Sequence, residues 1–105
     1  MHTESVFAYG TLCEPNIQMM VFDRLVPSVN DVLDGYRLSS IDTKEGRFPL
    51  AVPDARGEVS GEVLELSPDE LAFADDYETD AYRRSVVRLK SGRRAWVYLE
   101  NESRA

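Results

Sequence analysis

The sequence predicts an α+β fold built on a small, closed or nearly closed sheet with two helical segments, and three observations point there. Short runs rich in β-branched and aromatic residues, at 5–9, 58–66, 82–90 and 93–100, read as strands. Two segments with helical spacing, 15–25 and 67–82, lie between them. In the last strand Trp96 and Tyr98 share one face, and Val97 and Leu99 share the other. Both faces are therefore at least partly covered, as in a sheet that curls on itself.

Taken in order, SVFAY at 5–9 is a strand that breaks at Gly10, with Thr11-Leu12-Cys13 as a loop. Glycine there permits a sharp turn or a positive φ, and successive backbone N–H groups in such a turn can face an anion or a carbonyl oxygen. A plain strand-to-helix turn fits the same residues. Pro15 to Leu25 follows with Ile17, Met20, Val21 and Leu25 at helical spacing, and Met19 and Met20 read as fillers of core gaps. Cys13, close to the Gly10 turn but without a neighbouring base, reads as structural rather than nucleophilic.

Val29 to Ser40 is extended chain interrupted by Asp34-Gly35, a hairpin turn or bulge. IDTKEGR at 41–47 is a polar loop able to cover a cavity mouth. Phe48 to Pro53 is a short extended segment that its prolines demote to an edge or irregular strand, and Asp54 to Gly57 is another turn. EVSGEVLEL at 58–66 alternates as a strand, with Gly61 marking a bend or a close backbone approach. Tyr82–Lys90 and Arg93–Glu100 form an antiparallel hairpin through Ser91-Gly92, and residues 101–105 form a polar tail. The arginines of that hairpin suit solubility, pairing with the surplus acids and protection of a sheet edge.

Between these strands lies SPDELAFADDYETDAY, 67–82. Ser67 and Glu70 have the spacing of a capping box, Pro68 occupies the first helical position, and Asp69 and Glu70 favour the positive helix end. Leu71, Ala74 and Glu78 fall on one helical face, because seven residues make almost two turns. That placement desolvates Glu78, and Asp75 one turn behind adds like-charge repulsion, so its pKa is expected above the usual carboxylate range. An acid held near neutrality suits proton transfer. Read alone, the stretch also fits a frayed helix end in a patch of solvated acids (Asp75, Asp76, Glu78, Asp80), which is the commoner arrangement.

The chain has 105 residues, 43% hydrophobic and 30% charged, as expected for one globular domain over 1–105. Its net charge of −7 repels phosphate backbones and anionic lipid, which argues against nucleic acid and membrane as partners. The single Cys13 cannot form an internal disulfide, which suits the reducing cytoplasm, and nothing in these residues resembles a signal peptide or a span of about twenty apolar residues. With one histidine, His2, near the terminus, no histidine–cysteine metal site can be assembled.

Two marks in this order, VFAYGTL at 6–12 and GEVLEL at 61–66 followed by LAFADDYETDAYRRSVV at 71–87, resemble the gamma-glutamylcyclotransferase-like family, which includes the gamma-glutamylamine cyclotransferases and the AIG2-like proteins. The likeness extends to AWVYL at 95–99. It implies a small mixed β-barrel with flanking helices and a pocket at one end. By the resemblance, Tyr9-Gly10-Thr11-Leu12 supplies backbone N–H groups to a substrate's glutamyl portion, Glu78 matches the catalytic glutamate, and Tyr82 and Tyr98 match aromatic positions that line or support the pocket. Ala74 departs from the Leu often found there, and the segments after Leu12 and around Lys44 are individual, which bears on substrate choice.

The implied reaction joins the substrate's own α-amino group to its γ-carbonyl, closing 5-oxoproline and expelling an amine. Such chemistry asks for no cofactor, metal or catalytic triad, only attack geometry, oxyanion stabilisation and one proton carrier, for which Glu78 is the candidate. A non-catalytic pocket protein and a gamma-glutamyl hydrolase fit the same residues. The amine and the oligomeric state are not written in the sequence.

Overall fold

The computed structural model describes residues 2–102, so the last three residues of the expected polar tail lie outside the described residues. Strands β1 (Glu4–Ala8), β2 (Ser28–Thr43), β3 (Gly46–Leu66), β4 (Tyr82–Arg88) and β5 (Arg94–Glu100) form one sheet in the order β2-β3-β1-β5-β4. Helix α1 (Pro15–Phe22) follows a 3-10 turn at Thr11–Cys13, and α2 (Pro68–Glu78) runs into a second at Thr79–Ala81. The sheet is mixed, because β1 lies antiparallel to β3 and parallel to β5.

The sheet curls into a half-barrel, and β4 with the residues after it reaches back to the β2–β3 hairpin at two points. At one end the Lys90 N–H donates to the Val32 carbonyl at 2.8 Å. At the other the Tyr82 hydroxyl donates to the Pro49 carbonyl at 2.9 Å. Strand alternation divides the core in two. Phe7, Leu33, Val59, Val63 and Val97 pack on the inner face, whereas Val6, Leu64, Leu66 and Tyr98 pack outward beneath Leu71 and Ala74 of α2 and Phe22 of α1. The two faces read from Trp96–Leu99 are thus both covered.

The region from 41 to 66 differs from the sequence reading. Ile41–Thr43 and Gly46–Phe48 pair across the tip of one long β2–β3 hairpin, so the polar 41–47 loop is strand and turn. Residues 48–57 are likewise not an edge segment followed by a separate turn but part of continuous β3. The ladder slips between Asp34 and Tyr36, with Gly35 at φ +85°, and this irregularity takes up the turn residues 54–57. Gly61 is a close approach as expected: a Cβ there would lie 2.5 Å from the Ala8 carbonyl oxygen and 2.6 Å from the Phe7 ring.

Helix α1 is shorter than its sequence pattern, ending where Asp23 turns to φ +57°. Leu25 therefore leaves the helix and is 59% exposed, and Met20 is 66% exposed. The methionines do not fill the core. The buried residues are instead Phe22 and Gln18, flanked by Ile17 and Val21. Gln18 is 5% exposed and engaged through both its nitrogen and its oxygen: its Nε2 donates to the Leu12 carbonyl at 2.8 Å, and its Oε1 accepts from the Val26 N–H at 3.0 Å. The expected capping box of α2 is complete. Arg24 grips Glu70 through two nitrogens, at 2.7 and 2.9 Å, and these bonds with the Ser67 N–H bring the Glu70 carboxyl down to about 2. No helix among the described residues is long and apolar enough to cross a membrane.

Candidate active site

A cavity of about 310 Å³ lies where four pieces of chain converge. One wall is the end of β1 and the turn after it, Phe7–Leu12. The second is the β2–β3 tip with Phe48 and Pro49, the third is Tyr77–Thr79 at the end of α2, and Tyr82 and Tyr98 complete it from β4 and β5. All the candidate residues, Glu78 and Tyr9, Gly10, Thr11, Leu12, Tyr82 and Tyr98, therefore border one space, although 89 positions separate Tyr9 from Tyr98.

Glu78 reaches the cavity because the capping box fixes where α2 begins and the helix stays wound to its last residue, with the Thr79 N–H bonded to the Asp75 carbonyl. Leu71 and Ala74 on the same face are buried against the sheet, which carries the next residue of that face to the cavity wall. No hydrogen bond or ion pair reaches the Glu78 carboxyl among the described residues. Burial raises its pKa to about 7. The repulsion expected from Asp75 is not part of this. Asp75 turns away to Arg84, whose Nε and terminal nitrogen donate to it at 2.8 and 3.1 Å, and to the Tyr98 hydroxyl at 2.7 Å. Burial pushes the Asp75 carboxyl up, but these bonds outweigh it and hold the group ionised below its ordinary value.

The tyrosines present rings while their hydroxyls bind the frame. The Tyr9 hydroxyl donates to the Tyr98 carbonyl at 2.6 Å and accepts from the Ala51 N–H at 3.1 Å, joining three strands. Burial raises the Tyr9 and Tyr98 phenols well above their usual range and takes Tyr82 to about 12, so all three stay neutral. Between Tyr9 and the 3-10 turn, Gly10 has φ −130°, not the positive φ that its type allows. The turn's first bond runs from the Cys13 N–H to the Gly10 carbonyl at 3.1 Å. The N–H groups of Thr11 and Leu12 precede that bond and have no acceptor within the turn. Cys13 is not in the lining: its thiol donates to the Ala8 carbonyl at 3.2 Å, and burial pushes it up to about 11.

The match to known proteins agrees with this architecture. The model of the family described as "Gamma-glutamyl cyclotransferase, AIG2-like" matches residues 6–105. The chain belongs to the gamma-glutamyl cyclotransferase, AIG2-like family. AIG2-like protein C of Arabidopsis thaliana is 34% identical over 86 residues, which are 80% of this chain and 48% of that protein. The chain thus spans about half the length of the relatives it matches. A solution structure of another Arabidopsis thaliana protein superposes with a TM-score of 0.82 at 25% identity, over 100% of this chain and 73% of that one. A structure named gamma-glutamyl cyclotransferase shares the fold with a TM-score of 0.77 at 16% identity, over 94% and 67% of the respective chains.

In this member of the family, sequence reasoning missed several residues that border the site. Tyr77 lines the cavity and its hydroxyl pairs with Thr11 Oγ1 at 2.7 Å, linking α2 to the turn after β1. Its place immediately before Glu78 was the available signal. Thr43, Glu45, Phe48 and Pro49 enter because the β2–β3 hairpin is long enough to bring its tip to the cavity. Thr79 has φ +64° and ψ −173°, a conformation almost restricted to glycine. A β-branched residue held there next to Glu78 has no sequence signature.

Proposed function

We propose that this protein is a cyclotransferase that converts the glutamyl portion of a gamma-glutamyl amine or peptide to 5-oxoproline and releases the amine. The observation that carries the proposal is the setting of Glu78: a carboxyl with no partner among the described residues, brought near neutrality by burial, in the same cavity as the Tyr9–Leu12 turn.

In this reading the substrate's α-amino nitrogen attacks its γ-carbonyl carbon. The new C–N bond closes a five-membered ring, and the bond to the departing nitrogen breaks. Glu78, as carboxylate, takes the proton the α-amine loses and returns it to the leaving nitrogen, so the reaction ends proton-neutral. A pKa of about 7 serves both transfers near neutral pH. The Thr11 and Leu12 N–H groups are the donors for the oxygen that gains charge, a role worth about 3–4 kcal/mol for one donor. Tyr9, Tyr82 and Tyr98 act as walls that hold the substrate folded for attack, since their hydroxyls are already engaged.

The test is product identification with a panel of gamma-glutamyl amines and peptides. Formation of 5-oxoproline with equimolar amine supports the reading. Free glutamate in its place would make the protein a hydrolase, and binding without turnover would make it a non-catalytic pocket protein.

A further inference from the structure

The charged groups of the cavity wall are unbalanced. Among the described lining residues the ionisable acids are Glu78 and Glu45, and there is no lysine, arginine or histidine. Glu45 stands at the β2–β3 tip, a different wall from that of Glu78. The tip is a built turn. Thr43 and Gly46 pair in register, the Glu45 N–H donates to Thr43 Oγ1 at 3.1 Å, and the single proton of that hydroxyl has the Gly46 carbonyl at 3.1 Å and Glu45 Oε2 at 3.3 Å as acceptors within reach. The cations flanking Glu45 do not offset it inside the cavity. Arg47 pairs with Asp42 at 3.0 Å, and neither Arg47 nor Lys44 belongs to the lining.

We infer that Glu45 makes the site selective for gamma-glutamyl compounds whose leaving amine carries a second, positively charged group, such as a mono-acylated diamine. The inference rests on the cyclotransferase reading. In that reading the glutamyl end lies against the Tyr9–Leu12 turn and the scissile nitrogen lies beside Glu78. The wall left for the rest of the leaving amine is the hairpin tip. A cation arriving there meets the Glu45 carboxylate with no competing positive group in the lining, whereas a leaving group ending in a carboxylate meets like charge. Such complementarity favours one partner and rejects the other.

The experiment uses three gamma-glutamyl compounds of equal length, whose leaving amines end in an ammonium, a methyl group or a carboxylate. For each, kcat/KM for 5-oxoproline formation is measured with the wild-type protein, Glu45→Gln and Glu45→Lys, and Kd is measured with Glu78→Gln. The ammonium compound is expected to exceed the methyl compound about tenfold in kcat/KM, and the carboxylate compound to fall below both. Glu45→Gln should bring ammonium and methyl within about twofold, Glu45→Lys should invert the order, and raised salt should compress it. Equal kcat/KM and equal Kd across the three, or a preference that survives Glu45→Gln, overturns the inference. The expected order in Kd with no 5-oxoproline from any compound sinks the cyclotransferase reading instead, and leaves the charge selectivity standing as a property of the cavity.

Discussion

The Tyr98 hydroxyl donates to the Asp75 carboxylate at 2.7 Å, tying the last strand to the helix that carries Glu78 one turn later. Arg84 completes the arrangement. It pairs with Asp75 from β4, and its guanidinium lies 4.3 Å from the centre of the Trp96 ring. Of these two acids on α2, Asp75 is thereby held as a partnered carboxylate, and Glu78 is left in the cavity without a partner among the described residues. That division is what separates Glu78 chemically from the rest of the acidic patch.

Arg84→Ala should undo the division. Asp75 would lose its cation and then act on Glu78 as the like charge it now is not, moving the Glu78 pKa further upward. The loss of stability should be small, about 1 kcal/mol, because the pair is partly exposed. An NMR titration of the Glu78 carboxyl in both proteins checks the direction. An unchanged midpoint would show that Asp75 and Glu78 do not interact.

Glu78→Gln should remove a pH dependence of stability whose sign is unusual for a carboxylate. The folded-state pKa is raised, from 4.5 to about 7, so the native protein binds more protons than the unfolded chain in that window. Stability therefore falls as pH rises from about 4.5 to about 7, by about 3 kcal/mol in all. The variant should match wild type near pH 4 and exceed it in Tm near pH 8. In turnover it should lose about a hundredfold or more. Wild-type kcat/KM should rise with pH through about 7 as the Glu78 base form appears, a limb the variant lacks.

Thr79→Gly should stabilise the protein. The native φ of +64° with ψ −173° costs a β-branched residue about 1–3 kcal/mol, and glycine adopts it freely. Part of that gain is offset by the extra freedom glycine gives the unfolded chain, so the expected net effect is about 1 kcal/mol. Urea denaturation measures it. A loss of stability would mean that the Thr79 side chain, which accepts the Ala81 N–H at 3.3 Å, contributes more than its backbone strain costs.

Gln18→Leu should be costly although the volumes are similar. It strips a partner from both the Leu12 carbonyl and the Val26 N–H, leaving two polar groups without their bonds, for a loss of about 2–4 kcal/mol. Because Leu12 borders the cavity, the same variant should loosen substrate binding before it unfolds. Denaturation curves, with affinity measured under folding conditions, check both.

What the sequence determined by itself is what depends on near neighbours. The Ser67–Glu70 box sets the start of α2, and helical period then puts Leu71, Ala74 and Glu78 on one face. Strand period puts Trp96 and Tyr98 opposite Val97 and Leu99, and the two glycines Gly61 and Gly35 mark a close approach and a slip in register. Each is a matter of spacing along a few residues, which local sterics and hydrogen bonding settle. The tertiary structure alone decided which partners meet across the chain. Asp75 is drawn off Glu78 by Arg84 and Tyr98, Tyr77 meets Thr11 from 66 positions away, and Gln18 is buried while Met20 is exposed. The β2–β3 hairpin carries Glu45 to the cavity for the same reason. Charge pairing and burial depend on distance in space, and the closing of the sheet, not the order of residues, sets those distances.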